Sequence, residues 1–367
     1  MKKKAFFIGS TGQNVGKTTT CLGLLSGFKK RVANVGFLKP IGQEHMTCSS
    51  GLIVDKDVIL FKDYFQLKDP YEMMSPIVFC QGFTKDFLDG KIAKEDLLGS
   101  LKVCFEHLYE HNDLLIVEGT GHLGVGSIVD INNAQVASYL GLEIILVASG
   151  GIGSCFDQIA LNKALCDAYG VKIAGIILNK VLSDKKQMVV SYIKKALDRW
   201  NIPLLGVVPY DAFLTNPTMS DYAFLFKAEL LSGQMHKMRH FNHIRLVATS
   251  NEVYQTLITP SLLVITPASR EDIILSTIAR QEQMQTTNPD SDLQAGMILT
   301  GLLAPKPYLV EMLKKAQIPA FYTPTNTFNA MKMITSYTAK LRQEDLPRVH
   351  EAIELMEQHL DFEKILH

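Results

Sequence analysis

The sequence has no excess of charge of either sign. Lysine plus arginine and aspartate plus glutamate each number 37 among the 367 residues. Proteins that bind nucleic acid or an anionic membrane over a broad surface usually carry a positive field, and this chain has no such overall field. The composition therefore predicts neither nucleic acid nor a membrane as a partner, although a local loop can still bind polyphosphate.

Long apolar runs and closely spaced cysteine pairs are also missing. No apolar run approaches the length of a membrane span, and only four apolar residues separate the amino-terminal lysines from Gly9, too few for a signal peptide. The six cysteines show no Cys-x-x-Cys spacing, so we interpret them as reduced thiols in or near the core. These absences predict a cytoplasmic protein, and the length predicts two domains.

One motif near the amino terminus indicates a phosphate site. Ala5–Ile8 reads as a buried parallel strand, Gly9–Gly16 is a loop with three glycines, and Lys17 opens a helix. Strand, glycine loop, Gly-Lys-Thr and helix in this order describe a P-loop, whose backbone N–H groups and helix dipole bind phosphate. The residues predicted to bind the nucleotide here are Gly12, Gln13, Asn14, Val15, Gly16, Lys17, Thr18 and Thr19.

Two side chains of this motif have specific expected roles. Lys17 is expected to reach the β- and γ-phosphates, and the Thr18 hydroxyl is placed for Mg²⁺. The strict pattern has a glycine where this chain has Thr11. The alternative interpretation is a chance Gly-Lys-Thr at the start of a helix.

Strands alternate with helices along the first 215 residues. The predicted strands are 5–8, 34–38, 114–117, 143–148, 172–178 and 204–208, and helices are predicted at 55–66 and within 84–110. Alternation with helices of this length predicts an α/β fold with a doubly wound parallel sheet. We assign residues 1–215 to this nucleotide-binding domain.

Residues that could contact a ligand stand where several of these strands end. Lys39 follows the second strand, Glu118 follows the third, and Asn179 and Pro209 end the last two. Open α/β sheets bind ligands at the carboxyl ends of their strands. An acidic residue that faces a P-loop suits Mg²⁺, which makes Glu118 a metal candidate. The alternative interpretation of Lys39 and Glu118 is that each is a solvated side chain without a functional role.

A second domain follows a change of pattern. We interpret residues 216–242 as a linker that contains a helix at 221–231, and residues 243–367 as a smaller α/β domain. Its predicted strands are 244–249, 262–266, 296–300 and 320–323, and its predicted helices are 251–258, 270–280, 308–316 and 326–341. Arg270 either binds an anion at a helix start or has a capping or interface role. A last helix at 347–361 carries an apolar stripe, which we expect to dock on this domain or on a partner subunit.

The sequence resembles a known family in both domains. STGQNVGKT, LKPIGQ, LLIVEGTGHLGVGS, ILVASGGIGS and LLGVVPY occur in the order found in dethiobiotin-synthetase-like P-loop domains. The chain is most similar to the version at the amino end of long phosphotransacetylases, where a DRTGG domain follows; LLVITPASREDIIL and AGMILTGLL resemble that domain. The sequence ends at His367, and we expect no acetyltransferase domain.

The resemblance implies ATP and Mg²⁺ as cofactors. It implies that Lys17 binds phosphate and that Thr18, Asp57 and Glu118 hold the metal. Lys39 matches a lysine that contacts the carbamate in dethiobiotin synthetases. Lys17 and Lys39 are therefore the two catalytic candidates.

The resemblance also has implications for the adenine of the nucleotide and for the acceptor substrate. Asn179 and the stretch at Pro209 would face the adenine. The chain departs from the synthetases at Gln13 and Asn14, which replace an acidic pair, and at His122, where they have glycine. The diamine substrate of those enzymes is therefore not implied.

Our leading hypothesis is a Mg²⁺-dependent, ATP-binding P-loop protein. It would act as an ATPase, a ligase-like enzyme or a nucleotide-sensing regulator of acetyl-phosphate or related metabolism. Two alternatives stay open: an ATP-dependent carboxylase or ligase of the dethiobiotin synthetase type, and a non-catalytic regulatory partner of a phosphotransacetylase or another metabolic enzyme. We also expect a small anionic substrate and a homo-oligomer, a dimer.

Overall fold

The computed structural model describes residues 3–48 and 50–366 of the chain. These residues form two compact units. The first unit comprises the chain up to Asp211 together with the segment from Leu341 onward, and the second comprises Ala212–Lys340. Among the described residues, no helix combines the length and the apolar character that are needed to cross a bilayer.

The first unit contains a parallel sheet flanked by helices. Its strands are β1 (Lys4–Ser10), β2 (Val35–Leu38), β3 (Ile41–Gly42), β4 (His45–Thr47), β5 (Ile53–Asp55), β6 (Ile77–Val78), β7 (Leu114–Glu118), β8 (Ile144–Ser149), β9 (Ile173–Val181) and β10 (Leu204–Pro209). Its helices up to Asp211 are α1 (Lys17–Lys29), α2 (Lys56–Phe65), α3 (Tyr71–Met74), α4 (Phe83–Leu88), α5 (Lys94–His111), α6 (Asn133–Tyr139), α7 (Gly153–Ala168) and α8 (Lys186–Asp198).

Six of these strands form one sheet in the order β10-β9-β8-β1-β7-β2, and every neighbouring pair is parallel. The central strands are apolar because helices cover both faces of such a sheet. All five residues of β7 are buried, and so are the last four of β1. The prediction of a doubly wound α/β fold is confirmed, and the carboxyl ends of β1 and β7 lie side by side.

The second unit has its own sheet. Its strands are β11 (Leu230–Ser232), β12 (His243–Leu246), β13 (Leu262–Pro267), β14 (Gly296–Thr300) and β15 (Ala320–Thr323), and its helices are α9 (Met219–Leu225), α10 (Asn251–Thr256), α11 (Glu271–Thr287), α12 (Pro307–Lys315) and α13 (Thr327–Ser336). The sheet order is β11-β15-β14-β13-β12, with β11 antiparallel to β15 and the other pairs parallel.

Residues 216–242 are part of this second unit and not a linker. They contribute α9 and the fifth strand, β11, to it. The helix predicted at 221–231 ends earlier because Lys227 adopts a left-handed conformation with φ of 50°, which cannot continue a helix. The predicted linker and the predicted four-stranded sheet are therefore both wrong.

The last segment of the chain belongs to the first unit. It contains α14 (Leu346–His359) and α15 (Phe362–Leu366), and α14 packs along α1. Gly23 and Gly27 of α1 allow this packing, because a β-carbon at either position would overlap Met356 or Phe362. We predicted that this helix docks on the second domain or on a partner subunit, and that it belongs to a domain at 243–367. Both predictions are wrong.

Candidate functional site

The loop between β1 and α1 has the backbone shape of a phosphate-binding turn. Asn14 and Gly16 both have positive φ, 57° and 104°, so the chain reverses sharply before the helix starts at Lys17. Within the described residues, no side chain caps the start of α1, and its first-turn N–H groups are oriented towards the loop. An anion placed there would meet these donors and the positive end of the helix dipole.

Lys17 lies between this loop and the loop that follows β7. Its Nζ donates to Ser10 Oγ at 3.0 Å and to the carbonyl oxygen of Gly121 at 2.6 Å. Burial lowers the pKa of Lys17 to about 8, although Glu118 attracts the charged form. An ammonium this poorly solvated gains more from a phosphate than a surface lysine would.

Four predicted site residues meet at the carboxyl ends of β2 and β7. Glu118 is 1% exposed, and its Oε1 accepts hydrogen bonds from Thr18 Oγ1 at 3.0 Å and from Lys39 Nζ at 2.8 Å. Lys39 Nζ also lies 2.8 Å from Asp57 Oδ2. The structure thus brings Thr18, Lys39, Asp57 and Glu118 into one buried network.

The electrostatics of this network depend on burial and on close charges. Burial alone would lower the pKa of Lys39, but Asp57 and Glu118 outweigh it and hold that pKa well above its usual value. Burial would raise the pKa of Asp57, but the attraction of Lys39 holds it below its usual value. Lys39 is therefore an ammonium and Asp57 a carboxylate in the folded chain.

Asp55 joins this network and was missed from the sequence. Its side chain is 3% exposed and accepts a hydrogen bond from the backbone N–H of Asp57 at 2.9 Å, which caps α2. Burial, and to a smaller extent repulsion from Asp57, raises the pKa of Asp55 to about 7. Its place at a helix start was visible in the sequence, but its burial against Gly42 was not.

The residues present fit Mg²⁺. Glu118 Oε2 is buried and has no hydrogen-bond partner, so one carboxylate oxygen beside the P-loop is left for a cation. Among the described residues, no three His, Cys, Asp or Glu side chains form a metal-binding group. Mg²⁺ does not need one, because it usually binds one or two carboxylates together with phosphate oxygens and water.

The other predicted nucleotide-binding residues line the loop. Gln13 and Asn14 are exposed, Gly12 and Thr19 are half-buried, and Val15 is buried. The exposed pair leaves that side of the loop open to solvent.

Asn179 lies two residues before the end of β9 and contacts the P-loop directly. Its Nδ2 donates to the carbonyl oxygen of Val15 at 2.8 Å, and it lies where a β-carbon on Gly16 would be. Pro209 ends β10, the neighbouring strand of the sheet. The adenine-facing role of Asn179 and Pro209 stays a prediction.

Two further residues support the site and were not predicted. Lys180 Nζ donates to the carbonyl oxygen of Asn14 at 2.7 Å. Asn133 Nδ2 donates to the carbonyl oxygens of Thr120 and His122, both at 2.7 Å, and its Oδ1 accepts from the Thr120 N–H at 3.1 Å. Asn133 thereby fixes the loop whose Gly121 carbonyl binds Lys17.

In the second unit, Arg270 stands at the start of α11, where its side chain forms an ion pair and, among the described residues, no capping bond. The guanidinium bonds the carboxylate of Asp272, in the first turn of α11, at 2.8 and 2.7 Å, and the carbonyl oxygen of Thr249 at 3.1 Å. Anion binding by Arg270 stays a prediction.

Comparison with protein families agrees with this site. The family described as an AAA domain matches residues 4–218, which is more than half of the chain. The chain belongs to this AAA-domain family. A DRTGG domain matches residues 221–337. The predicted combination of a P-loop NTPase domain with a DRTGG domain is confirmed.

Curated relatives support the predicted resemblance. The phosphate acetyltransferase of Nitrosomonas europaea is 26% identical over 368 residues, which cover 97% of this chain and 50% of that protein. The phosphate acetyltransferase of Nitratidesulfovibrio vulgaris is 25% identical with the same coverage. The ATP-dependent dethiobiotin synthetase BioD of Clostridium kluyveri is 28% identical over 186 residues, 49% of this chain and 76% of that one. The chain spans about half the length of the acetyltransferases that it matches.

Solved structures are more distant. The MinD cell division protein of Aquifex aeolicus covers 57% of this chain and 84% of its own, with 15% identity and a TM-score of 0.36.

Proposed function

We propose that this chain binds ATP together with Mg²⁺ at its P-loop and acts on the γ-phosphoryl group, as an ATPase or a ligase-like enzyme. The observation that carries the proposal is the position of Glu118. Its buried carboxylate faces Lys17 and Thr18 of the P-loop helix, and one of its oxygens has no hydrogen-bond partner. A buried carboxylate in this place suits a cation bound to nucleotide phosphates.

Each residue of the site has a definable task in this proposal. Thr18, Glu118 and Asp57 would hold Mg²⁺, which when bound neutralises charge on the phosphate oxygens. The N–H groups of the loop at Gly12–Gly16 would orient the phosphates, and Lys17 would move from the Gly121 carbonyl to a phosphate oxygen. Phosphoryl transfer depends mainly on this positioning and on charge stabilisation.

Nucleotide hydrolysis by the purified chain, measured with and without Mg²⁺, tests the proposal. A Glu118→Gln variant keeps the size of the side chain and its bond from Thr18 but removes the negative charge. We expect Mg²⁺-dependent turnover in the wild type and a large loss in the variant. Lys94→Gln, which removes only a surface ion pair with Asp130, is the matched control and should be as active as the wild type.

The outcomes of this assay separate the candidate functions. Mg²⁺-dependent binding without turnover, both alone and with small anionic acceptors added, would overturn the enzymatic part of the proposal and leave a nucleotide sensor. Absence of both binding and turnover would overturn all of it. Turnover that needs a small anionic acceptor would support a ligase-like reaction of the dethiobiotin synthetase type.

A second candidate, a regulator of acetyl-phosphate or related metabolism, is favoured by one finding. Nearly the whole chain matches about half of each phosphate acetyltransferase. This candidate predicts that the purified chain co-elutes with a phosphate acetyltransferase in size-exclusion chromatography and that Mg-ATP changes the co-eluting fraction. Separate elution under both conditions would remove it. A dimer, a small anionic substrate and a cytoplasmic location stay predictions.

A further inference from the structure

The ammonium of Lys39 lies between the two carboxylates that are the metal candidates. It is 2.8 Å from Asp57 Oδ2 and 2.8 Å from Glu118 Oε1, and Lys39 is only 4% exposed. The backbone of Lys39 is fixed, because its N–H donates to the carbonyl oxygen of Met74 at 2.8 Å. The position of the ammonium is therefore determined by the fold and by the two acids.

The two acids need a positive charge in the nucleotide-free chain. A buried carboxylate without a counter-charge strongly destabilises a fold, and here two of them converge. Lys17 does not fill this role, because its ammonium bonds Ser10 and the Gly121 carbonyl. Lys39 alone, among the described residues, is within ion-pair distance of both acids.

An ammonium and Mg²⁺ cannot both have these two carboxylates as close partners. Two cations a few ångströms apart in a buried site repel each other strongly. Thr18, the other candidate ligand, bonds the same Glu118 oxygen as Lys39 does. The unpartnered oxygen, Glu118 Oε2, belongs to the same carboxylate, so a metal bound there would lie a few ångströms from the ammonium and would repel it from the two acids.

We propose that Lys39 is a built-in counter-cation, which occupies the place of Mg²⁺ in the nucleotide-free chain and leaves it when the metal binds with nucleotide. This inference rests on the proposed Mg-ATP site and adds an order of events to it. With nucleotide bound, Thr18, Glu118 and Asp57 would hold Mg²⁺, and the Lys39 ammonium would leave the two acids for the negatively charged phosphates. Lys39, on its flexible four-carbon stem, then becomes free to bind an anionic acceptor, so that acceptor binding follows Mg-ATP binding.

Binding of Mn²⁺ alone, followed by electron paramagnetic resonance without nucleotide, tests the inference. Lys39→Met removes the competing charge, so we expect this variant to bind Mn²⁺ about tenfold or more tightly than the wild type. Lys39→Arg keeps the charge and should bind Mn²⁺ as weakly as the wild type. Lys62→Met is the matched control, because Lys62 is a partly buried lysine whose ammonium bonds the carbonyl oxygens of Leu67 and Asp69 and lies over the ring of Tyr71.

Stability gives a second readout. Without metal, Lys39→Met should unfold at a lower temperature than the wild type, and Mn²⁺ should raise its melting temperature more than it raises that of the wild type. If Lys39→Met does not fold, Lys39→Gln removes the charge but keeps a hydrogen-bond donor, and the same Mn²⁺ measurement applies to it.

Equal or weaker Mn²⁺ binding by the uncharged variants would overturn the inference. This result is distinct from a failure of the proposed function, because the Mn²⁺ measurement contains no nucleotide. If the wild type binds Mg-ATP and the uncharged variants bind Mn²⁺ with wild-type affinity, only the role of Lys39 is contradicted. A wild type that binds no Mg-ATP contradicts the proposed function, while the Mn²⁺ affinities still decide whether Lys39 competes with the metal.

Discussion

Met356 of α14 occupies the space that a side chain on Gly23 of α1 would need. A β-carbon on Gly23 would overlap Met356 Cβ and come within 3.4 Å of its Cα. One turn further along α1, Gly27 accommodates the ring of Phe362, which lies 4.3 Å from the Arg31 guanidinium. The helix whose first turn forms the P-loop is thus packed against the last segment of the chain.

This contact predicts that Gly23→Ala destabilises the protein although alanine favours helix. The new methyl group forces α1 and α14 apart, and overpacking of this kind costs about 1–3 kcal/mol. The free energy of unfolding in urea measures the effect. Gly99→Ala is the control, since Gly99 lies in α5 with nothing within 4 Å of its β-carbon position, and it should stabilise by up to about 1 kcal/mol. Equal effects of the two substitutions would contradict the close packing.

Gly16→Ala should weaken ATP binding and destabilise the fold. Gly16 has a φ of 104°, and a β-carbon would overlap Asn179 Nδ2, which bonds the P-loop backbone. Backbone strain alone costs roughly 1–3 kcal/mol at such a position. Calorimetric titration with Mg-ATP and urea unfolding measure the two effects.

Gly12→Ala provides the comparison for this prediction. A β-carbon on Gly12 would make only an ordinary contact of 3.5 Å with Val15. We expect the stability of this variant to be close to that of the wild type. Unfolding free energies that fall equally in both variants would show that the strain assigned to Gly16 is wrong.

The carboxyl of Asp55 should make stability depend on pH. Its pKa is raised from 3.8 to about 7 by burial and by the charge of Asp57, so the folded chain keeps this proton up to about pH 7 and the unfolded chain loses it near pH 4. The unfolded state binds fewer protons within this window, so the contribution of Asp55 to stability falls as the pH rises from 4 to 7 and is constant above 7.

Asp55→Asn removes this titration and keeps an oxygen that caps α2. Without metal and nucleotide, the variant should match the wild type near pH 4 and become the more stable protein as the pH rises. The difference should grow by at most roughly 1.4 kcal/mol per pH unit. Urea unfolding of both proteins from pH 4 to 8 measures it, and a constant difference over this range would contradict the raised pKa.

The site was predictable where one short segment determines it. Gly16, Lys17 and Thr18 are adjacent in the sequence, and strand, turn and helix follow from that local pattern. Glu118 was predictable because it directly follows four apolar residues, and all parallel strands end at the same edge.

The parts that the sequence did not predict depend on distant contacts. The burial of Asp55 needs Gly42 beside it and the hydroxyl of Ser75 on its backbone N–H. The docking of α14 and α15 needs two glycines in α1, and from the sequence alone these glycines are only unfavourable for a helix. The apolar stripe of the last helix predicted that this helix docks, but no pattern in the sequence showed which element receives it.

Calorimetric titration of the wild type and of Lys17→Met with ATP, each with and without Mg²⁺, tests the central claim most directly. We expect Mg²⁺-dependent binding by the wild type and an affinity at least about tenfold lower in the variant, since a charged phosphate contact is lost. The metal-free, nucleotide-free variant should be no less stable than the wild type, because burial lowers the pKa of Lys17 to about 8 and so disfavours its charged form. Binding of Mg-ATP by Lys17→Met with wild-type affinity would contradict the assignment of the P-loop.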